Sequence, residues 1–337
     1  MTTNTLLEVS NLKVHFPVRT GFFGRAQHYV KAVDDVSFSI NRGETLGLVG
    51  ESGSGKTTVG RSILRAIDPT AGQIFFQQNG QRIEVSRLRG RALRRFRPNM
   101  QMIFQDPYSS LNPRMTVRDI IAEPLVAANL ARGEAVDERV RETAARCRLN
   151  LEHLRRFPHA FSGGQRQRIG IARALVASPQ FIVCDESVSA LDVSIQADIL
   201  NLLMDLQDEL GLTYLFIAHD LSVVAHIATR VAVMYVGQLV ELAPTQQIFT
   251  TPKHPYTEAL LSAIPEVNPD RTIQPIVLEG DIPNPANPPA GCRFHTRCRY
   301  VQDRCRSESP TWQPVGDGHF VACHFADELT LKGATAA

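Results

Sequence analysis

The stretch Gly50-Glu51-Ser52-Gly53-Ser54-Gly55-Lys56-Thr57 is a P-loop pattern: two glycines with four residues between them, followed by Lys and Thr. Glycines let the backbone curl until successive N–H groups face one hollow. A helix start at the end of the loop adds free N–H groups and the positive end of its dipole. The chemistry that follows is triphosphate binding, with Lys56 reaching the β- and γ-phosphates and the Thr57 hydroxyl on Mg²⁺. A second set of reactive types stands at Phe181-Ile182-Val183-Cys184-Asp185-Glu186, four apolar residues and then two acids. Asp185 suits Mg²⁺, and Glu186 suits polarising a water aimed at the γ-phosphate. His219, after the apolar run Tyr214 to Ala218, suits a hydrogen bond to that phosphate or to the attacking water. Tyr29 is either an adenine-stacking platform or a strand-edge aromatic.

These groups need elements that hold them. Leu46 to Val49 is an apolar strand and Val59 to Leu64 has helical spacing, so the loop has the strand–loop–helix setting it requires. Leu6 to Ser10, Leu12 to Phe16 and Ala32 to Ile40 alternate as strands do, with a loop at Pro17, Gly21 and Gly24 that carries Tyr29. Met102 to Gln105 reads as a short apolar strand ending in Gln105, and Pro107, Asn112 and Pro113 keep the next segment irregular. Val117 to Leu154 is helical and rich in Ala, Leu, Arg and Glu, an insert between two halves of an α/β core. Ser162-Gly163-Gly164-Gln165 opens another helix, as an anion site or simply as an N-cap. Phe181 to Asp185 and Tyr214 to Ala218 read as buried parallel strands with polar ends at the sheet edge where ligands sit. Val231 to Gly237 and Gln238 to Glu241 read as a closing hairpin.

The 337 residues are 43% hydrophobic, enough for two or three domains, and the net charge of +2 selects no partner. No apolar run reaches membrane-spanning length, and the first residues start no signal peptide, so a cytosolic setting with reduced thiols is expected. The arginines from Arg87 to Arg97 read as a solvated helix face, since no aromatic ladder interleaves them as nucleic-acid binding would need. His254 to Ile264 reads as one amphipathic helix, after which Pro269, Pro275, Pro283, Pro285, Pro288 and Pro289 forbid long helices. Cys292, Cys298, Cys305 and Cys323 are separated by five, six and seventeen residues. Four thiolates at these spacings suit a [4Fe–4S] cluster, while zinc, a mixed zinc site with His295, His319 or His324, and free thiols stay open. Arg293, Arg297, Arg299, Arg304 and Arg306 would offset the charge of such a centre.

The order of a P-loop, a Gln at a strand end, Ser-Gly-Gly-Gln, an acid pair and a His resembles the ATPase subunits of ABC transporters over essentially the whole chain. Gln105 to Pro113, His254-Pro255-Tyr256-Thr257 and the terminal cysteines resemble the subunits that power import of di- and oligopeptides, and sometimes nickel. The resemblance implies an α/β P-loop (RecA-like) core with an antiparallel β subdomain, a helical subdomain and a small cysteine-containing C-terminal extension. The implied divisions are 1–104, 105–165, 166–250 and 251–337. Gly50 to Thr58, including Ser52, Gly53, Gly55 and Thr58, become the Walker A loop, and Gln105 the residue that contacts Mg²⁺ or water. Ser162 to Gln165 become the signature motif, Asp185 the Walker B acid, Glu186 the catalytic base, Ser189 to Asp192 the D-loop, and His219 the switch. Phe161, Ser187 and Val188 depart from the commonest residues, and Tyr29 is a residue or two off the usual adenine-stacking position. The resemblance also implies a second ATPase subunit packed head to tail, two permease subunits, an external solute-binding protein, a peripheral place on the inner membrane, and close relatives with an iron–sulfur cluster at the cysteines.

Two other readings compete. A repair or translation ATPase would carry two cassettes or a long coiled-coil insert, and this chain has neither. A plain GTPase or kinase would leave Ser162 to Gln165 unexplained.

Overall fold

The computed structural model describes residues 4–19, 26–264 and 275–334. Gly21, Gly24 and Pro269 lie outside them. The chain divides into two compact units made of interleaved segments, Met1–Leu6, Ile40–Thr45 and Gln77–Ile217 in the first, and Leu7–Ser39, Leu46–Phe76 and Ala218–Ala337 in the second.

In the first unit three parallel strands run in the order Met100–Ile103, Phe181–Asp185, Thr213–Ala218. The register sets Ile103 beside Cys184 and Asp185 beside Ile217. Phe181–Asp185 and Thr213–Ala218 are buried at every position, as continuous apolar runs in a parallel sheet should be. The first strand ends at Ile103, so the expected strand end at Gln105 is corrected: the irregular segment begins at Phe104 and already contains Gln105 ahead of Pro107. The helical insert consists of Val117–Ala127 and Glu134–Arg146, followed by a short 3₁₀ turn at Leu151–His153. Val136, Val140 and Ala144 recur every four residues and form the buried stripe of the second helix. Both helices pack on the helix Gly163–Leu175. The helix Gly90–Phe96 carries the arginine run with only Phe96 buried, which is the solvated face expected.

The second unit has the strand order Gln313–Gly316, His319–Val321, Gln238–Pro244, Arg230–Tyr235, Thr45–Val49. Leu46–Val49 pairs in parallel with Arg230–Val233, and the hairpin Arg230–Tyr235/Gln238–Pro244 is antiparallel, as its sequence predicts. Thr5–Arg19 pairs antiparallel with Ala71–Gln78 in a separate sheet and is flanked by Ala26–Asn41. Two expectations change here. Pro17 lies inside a strand rather than a loop, and Tyr29 stands on the strand Ala26–Asn41, half exposed. The segment from His254 forms the helix Pro255–Ser262, but Pro255 to Ala259 and Leu261 are all buried. Its one acid, Glu258, is 1% exposed and takes hydrogen bonds from Arg299, Tyr300 and the Lys332 backbone. A paired buried carboxylate makes this helix part of the core, not the amphipathic surface helix its sequence suggests.

Candidate active site

The P-loop leaves the buried strand Thr45–Val49 and enters the helix Lys56–Ile63. Gly50, Gly53 and Gly55 have φ of +148°, +81° and +107°, the region that glycine alone enters without strain. Space decides two of them as well. A Cβ on Gly50 would stand 2.1 Å from the Met234 carbonyl oxygen, and one on Gly55 2.1 Å from that of Ala32. The Lys56 ammonium is nearly fully buried and donates to the carbonyls of Gly50 at 2.6 Å and Glu51 at 3.0 Å. The Ser54 hydroxyl is buried without a hydrogen-bond partner among the described residues. A buried cation and an orphaned hydroxyl within a loop of this curvature fit a bound polyphosphate. Thr57 and Thr58 follow in the first turn of the helix.

In the first unit, Asp185 closes its strand at 2% exposure and Glu186 follows with φ +45°. A non-glycine residue in this region is strained, and such strain concentrates at functional positions. The Glu186 backbone is fixed by its N–H to the Ile217 carbonyl at 2.9 Å, and its own carbonyl accepts from the Ser189 hydroxyl at 2.9 Å. Gln105 donates from Nε2 to Glu186 Oε2 at 2.8 Å. The sequence predicts these two as separate participants, and the structure brings them into contact. His219 is exposed two residues beyond Ile217, the register partner of Asp185.

Ser162 caps the helix Gly163–Leu175 in a full capping box: its hydroxyl accepts from the Gln165 N–H, and Gln165 Oε1 accepts from the Ser162 N–H at 3.1 Å. The cap reading and the anion-site reading therefore concern one set of residues. Gly164 has a further reason to be glycine, since a Cβ would stand 2.5 Å from Ile195 Cγ2. Asp192 takes the N-cap position of the helix Val193–Leu210.

Cys292, Cys298, Cys305 and Cys323 line one cavity of about 20 Å³. Burial, with the neighbouring thiols adding, pushes Cys292 up to about 11 and Cys298 up to about 12. Among the described residues no group of three or more His, Cys, Asp or Glu side chains stands ready to hold a metal ion. A cavity this small admits a water-sized body, so a four-iron cluster does not fit without outward movement. Four of the five arginines expected to neutralise such a centre are paired elsewhere. Arg293 pairs with Asp34, Arg297 with Glu51, Arg299 with Glu258 and Arg304 with Glu308. His319 Nε2 is paired with Glu241 Oε1 at 2.8 Å.

The model of the ABC transporter family matches residues 33–189, and that of the oligopeptide/dipeptide transporter C-terminal region matches residues 240–305. The oligopeptide transport ATP-binding protein AppF of Bacillus subtilis is 52% identical over 323 residues, covering 95% of this chain and 97% of that protein. The chain belongs to the ABC transporter family. Its ABC relatives also include the dipeptide transport ATP-binding protein DppF of Haemophilus influenzae, 47% identical over 96% of this chain and 97% of that one. Among solved ABC structures, cbiO1 from Clostridium perfringens gives a TM-score of 0.61 at 26% identity, covering 73% of this chain and 91% of that one. The cassette MJ0796, solved as a dimer bound to ADP and Pi, gives the same score and identity over 71% of this chain and 99% of that one. The chain is therefore an ABC-type ATPase.

The sequence reading does not foresee that Tyr256 and Arg297 contact Glu51 of the P-loop. The available signal is an acid inside an anion-binding loop, which demands a counter-charge.

Proposed function

We propose that this chain energises an importer of di- or oligopeptides by hydrolysing ATP at the inner face of the cell membrane, bound there to two permease subunits fed by an external solute-binding protein. What carries the reading is the presence in one chain of an ATPase acid with its Gln105 partner and a C-terminal region of the oligopeptide/dipeptide transporter type. The nucleic-acid and ribosome reading gains nothing from the relatives, which are named for transport.

In this proposal Lys56 and the loop N–H groups hold the β- and γ-phosphates. Thr57, Asp185 and Gln105 supply the hard oxygen donors that Mg²⁺ prefers, and the ion when bound neutralises phosphate charge. Glu186 accepts a proton from water as the water oxygen bonds to the γ-phosphorus. The bond from that phosphorus to the β–γ bridging oxygen breaks, and ADP departs with the electron pair. Gln105 and His219 orient the water and the γ-phosphate, and Tyr29 stacks on the base. Ser162, Gly163, Gly164, Gln165 and Asp192 serve the ATP of a second ATPase subunit, so each chain holds half of each site.

In this proposal a permease segment docks on the first unit. In the first unit a groove of about 790 Å³ is lined by Leu93, Arg94, Met102, Phe104, Pro124 and Arg173, among others. It begins one residue from Gln105, so a segment seated there would sense the residue that touches Glu186. The cysteines are a separate proposal: Cys292, Cys298, Cys305 and Cys323 line one cavity, and a [4Fe–4S] centre would ask more movement of them than a single Zn²⁺. Anaerobic purification followed by iron, sulfide and zinc analysis tests this. Iron and sulfide in equal amounts support the cluster, zinc alone supports the second option, and absence of all three rejects both.

The function is tested by peptide uptake in cells that lack the gene. Restoration by the intact chain, and not by Lys56→Ala, is expected. Normal uptake without the gene would reject the reading.

A further inference from the structure

Glu51 is an acid inside a loop built to hold phosphate. Its carboxylate is gripped by the Arg297 guanidinium through two parallel bonds, Nη1 to Oε2 at 2.7 Å and Nη2 to Oε1 at 3.1 Å. The Arg297 side chain is only 7% exposed, so the pair is poorly screened. The Glu51 N–H donates to the Tyr256 hydroxyl at 2.8 Å. The Glu51 carbonyl accepts from Lys56 Nζ and from the Ser54 N–H. The second residue of the P-loop is thus fixed at its amide, carbonyl and carboxylate, two of them from beyond residue 250. Both outside partners are rigidly seated. Tyr256 is fully buried in a cluster of Tyr235, Tyr256 and Phe294, whose ring centroids are 4.7–5.4 Å apart. Arg297 lies in the turn between Cys292 and Cys298, held by its N–H to the Phe294 carbonyl at 3.0 Å.

We propose that the C-terminal segment sets the nucleotide affinity of the P-loop through Glu51, with Arg297 and Tyr256 as positioning residues for ATP. The inference rests on the reading that residues 50–57 bind the ATP phosphates. Arg297 has a charge role as well as a geometric one. Without it, the Glu51 carboxylate stands uncompensated beside the incoming phosphates and repels them. Tyr256 has the geometric role alone, since it fixes the amide at the entrance of the loop. Any change in the cysteine-bearing turn that displaces Arg297 is passed to the nucleotide site by the same contact.

The test is calorimetric binding of a nonhydrolysable ATP analogue with Mg²⁺ to the full chain, with thermal melting alongside. Arg297→Gln is expected to raise Kd about 5- to 50-fold. The double variant Glu51→Gln/Arg297→Gln is expected to regain part of the lost affinity, because no bare carboxylate remains and only the fixed geometry is missing. Tyr256→Phe keeps the ring packing and is expected to weaken binding without that rescue. Val140→Ala removes a buried group from the helix Glu134–Arg146, away from Glu51 and its partners, and is expected to lower the melting temperature at unchanged Kd. Wild-type affinity in both Arg297→Gln and Tyr256→Phe would overturn the proposal. So would failure of the double variant to recover together with an equal loss of affinity in Val140→Ala. If Arg297→Gln does not fold, Arg297→Lys, which keeps the charge and loses the two-pronged bond, is expected to bind with intermediate affinity, and wild-type affinity there would count against the proposal. Wild-type binding by Lys56→Ala would instead reject the P-loop reading beneath it.

Discussion

Glu186 sits in a left-handed backbone position with its carboxylate already hydrogen-bonded by Gln105. If it is the base, Glu186→Gln removes the proton acceptor and leaves the phosphate cradle untouched. ATP turnover should fall by about 10²- to 10⁴-fold with nucleotide binding retained, which rate and Kd measurements on one preparation will show. Gly55→Ala places a Cβ at φ +107° and 2.1 Å from a backbone oxygen. The loop must rebuild, and nucleotide binding should be lost although the change adds one methyl group. At this scale much of the site was legible, because a P-loop encodes its own local geometry in eight consecutive residues. Arg297 was misread for the opposite reason. Its place beside the cysteines suggested a counter-ion for a metal centre, while its partner Glu51 lies 246 positions away and nothing in the order of residues selects it.

At the scale of elements, caps carry two consequences. Loss of the Ser162 hydroxyl opens the capping box of the helix Gly163–Leu175, and Ser162→Ala should cost about 1 kcal/mol in denaturant unfolding. His254 caps the helix Pro255–Ser262 by accepting the Tyr256 N–H at Nδ1, 3.1 Å away. Burial lowers its pKa from the ordinary histidine value to about 3. The unfolded chain therefore takes up a proton below about pH 6.5 that the folded one refuses, and stability falls as pH drops from there toward 3. His254→Asn, which keeps a cap acceptor and cannot titrate, should flatten the melting-temperature profile between pH 7 and 5; an unchanged slope would exclude this histidine as its source. The buried parallel strands were legible as unbroken apolar runs. The helix Pro255–Ser262 was not, because Glu258 and Thr257 looked solvent-facing and only long-range pairing with Arg299 and Tyr300 lets the acid be buried.

At the scale of the molecule, the chain weaves two compact units from interleaved segments. Lys56 and His219 belong to one unit, Glu186 and Gln105 to the other. Local patterns revealed the buried parallel strands and the P-loop but not Ala71–Gln78, Gln313–Gly316 or His319–Val321, nor this interleaving, which depends on pairings across most of the chain, such as Leu46 with Arg230. No helix among the described residues is long and apolar enough to cross a membrane. The central claim is ATP hydrolysis by this chain in a permease-bound complex. The most direct measurement is the MgATP turnover of the complex recovered from membranes through a tag on this chain, wild type against Glu186→Gln. The account predicts that both preparations bring down two polytopic membrane proteins and bind ATP, and that only the wild type turns it over. Equal turnover in the two, or recovery of the tagged chain with nucleic acid and no membrane protein, would contradict it.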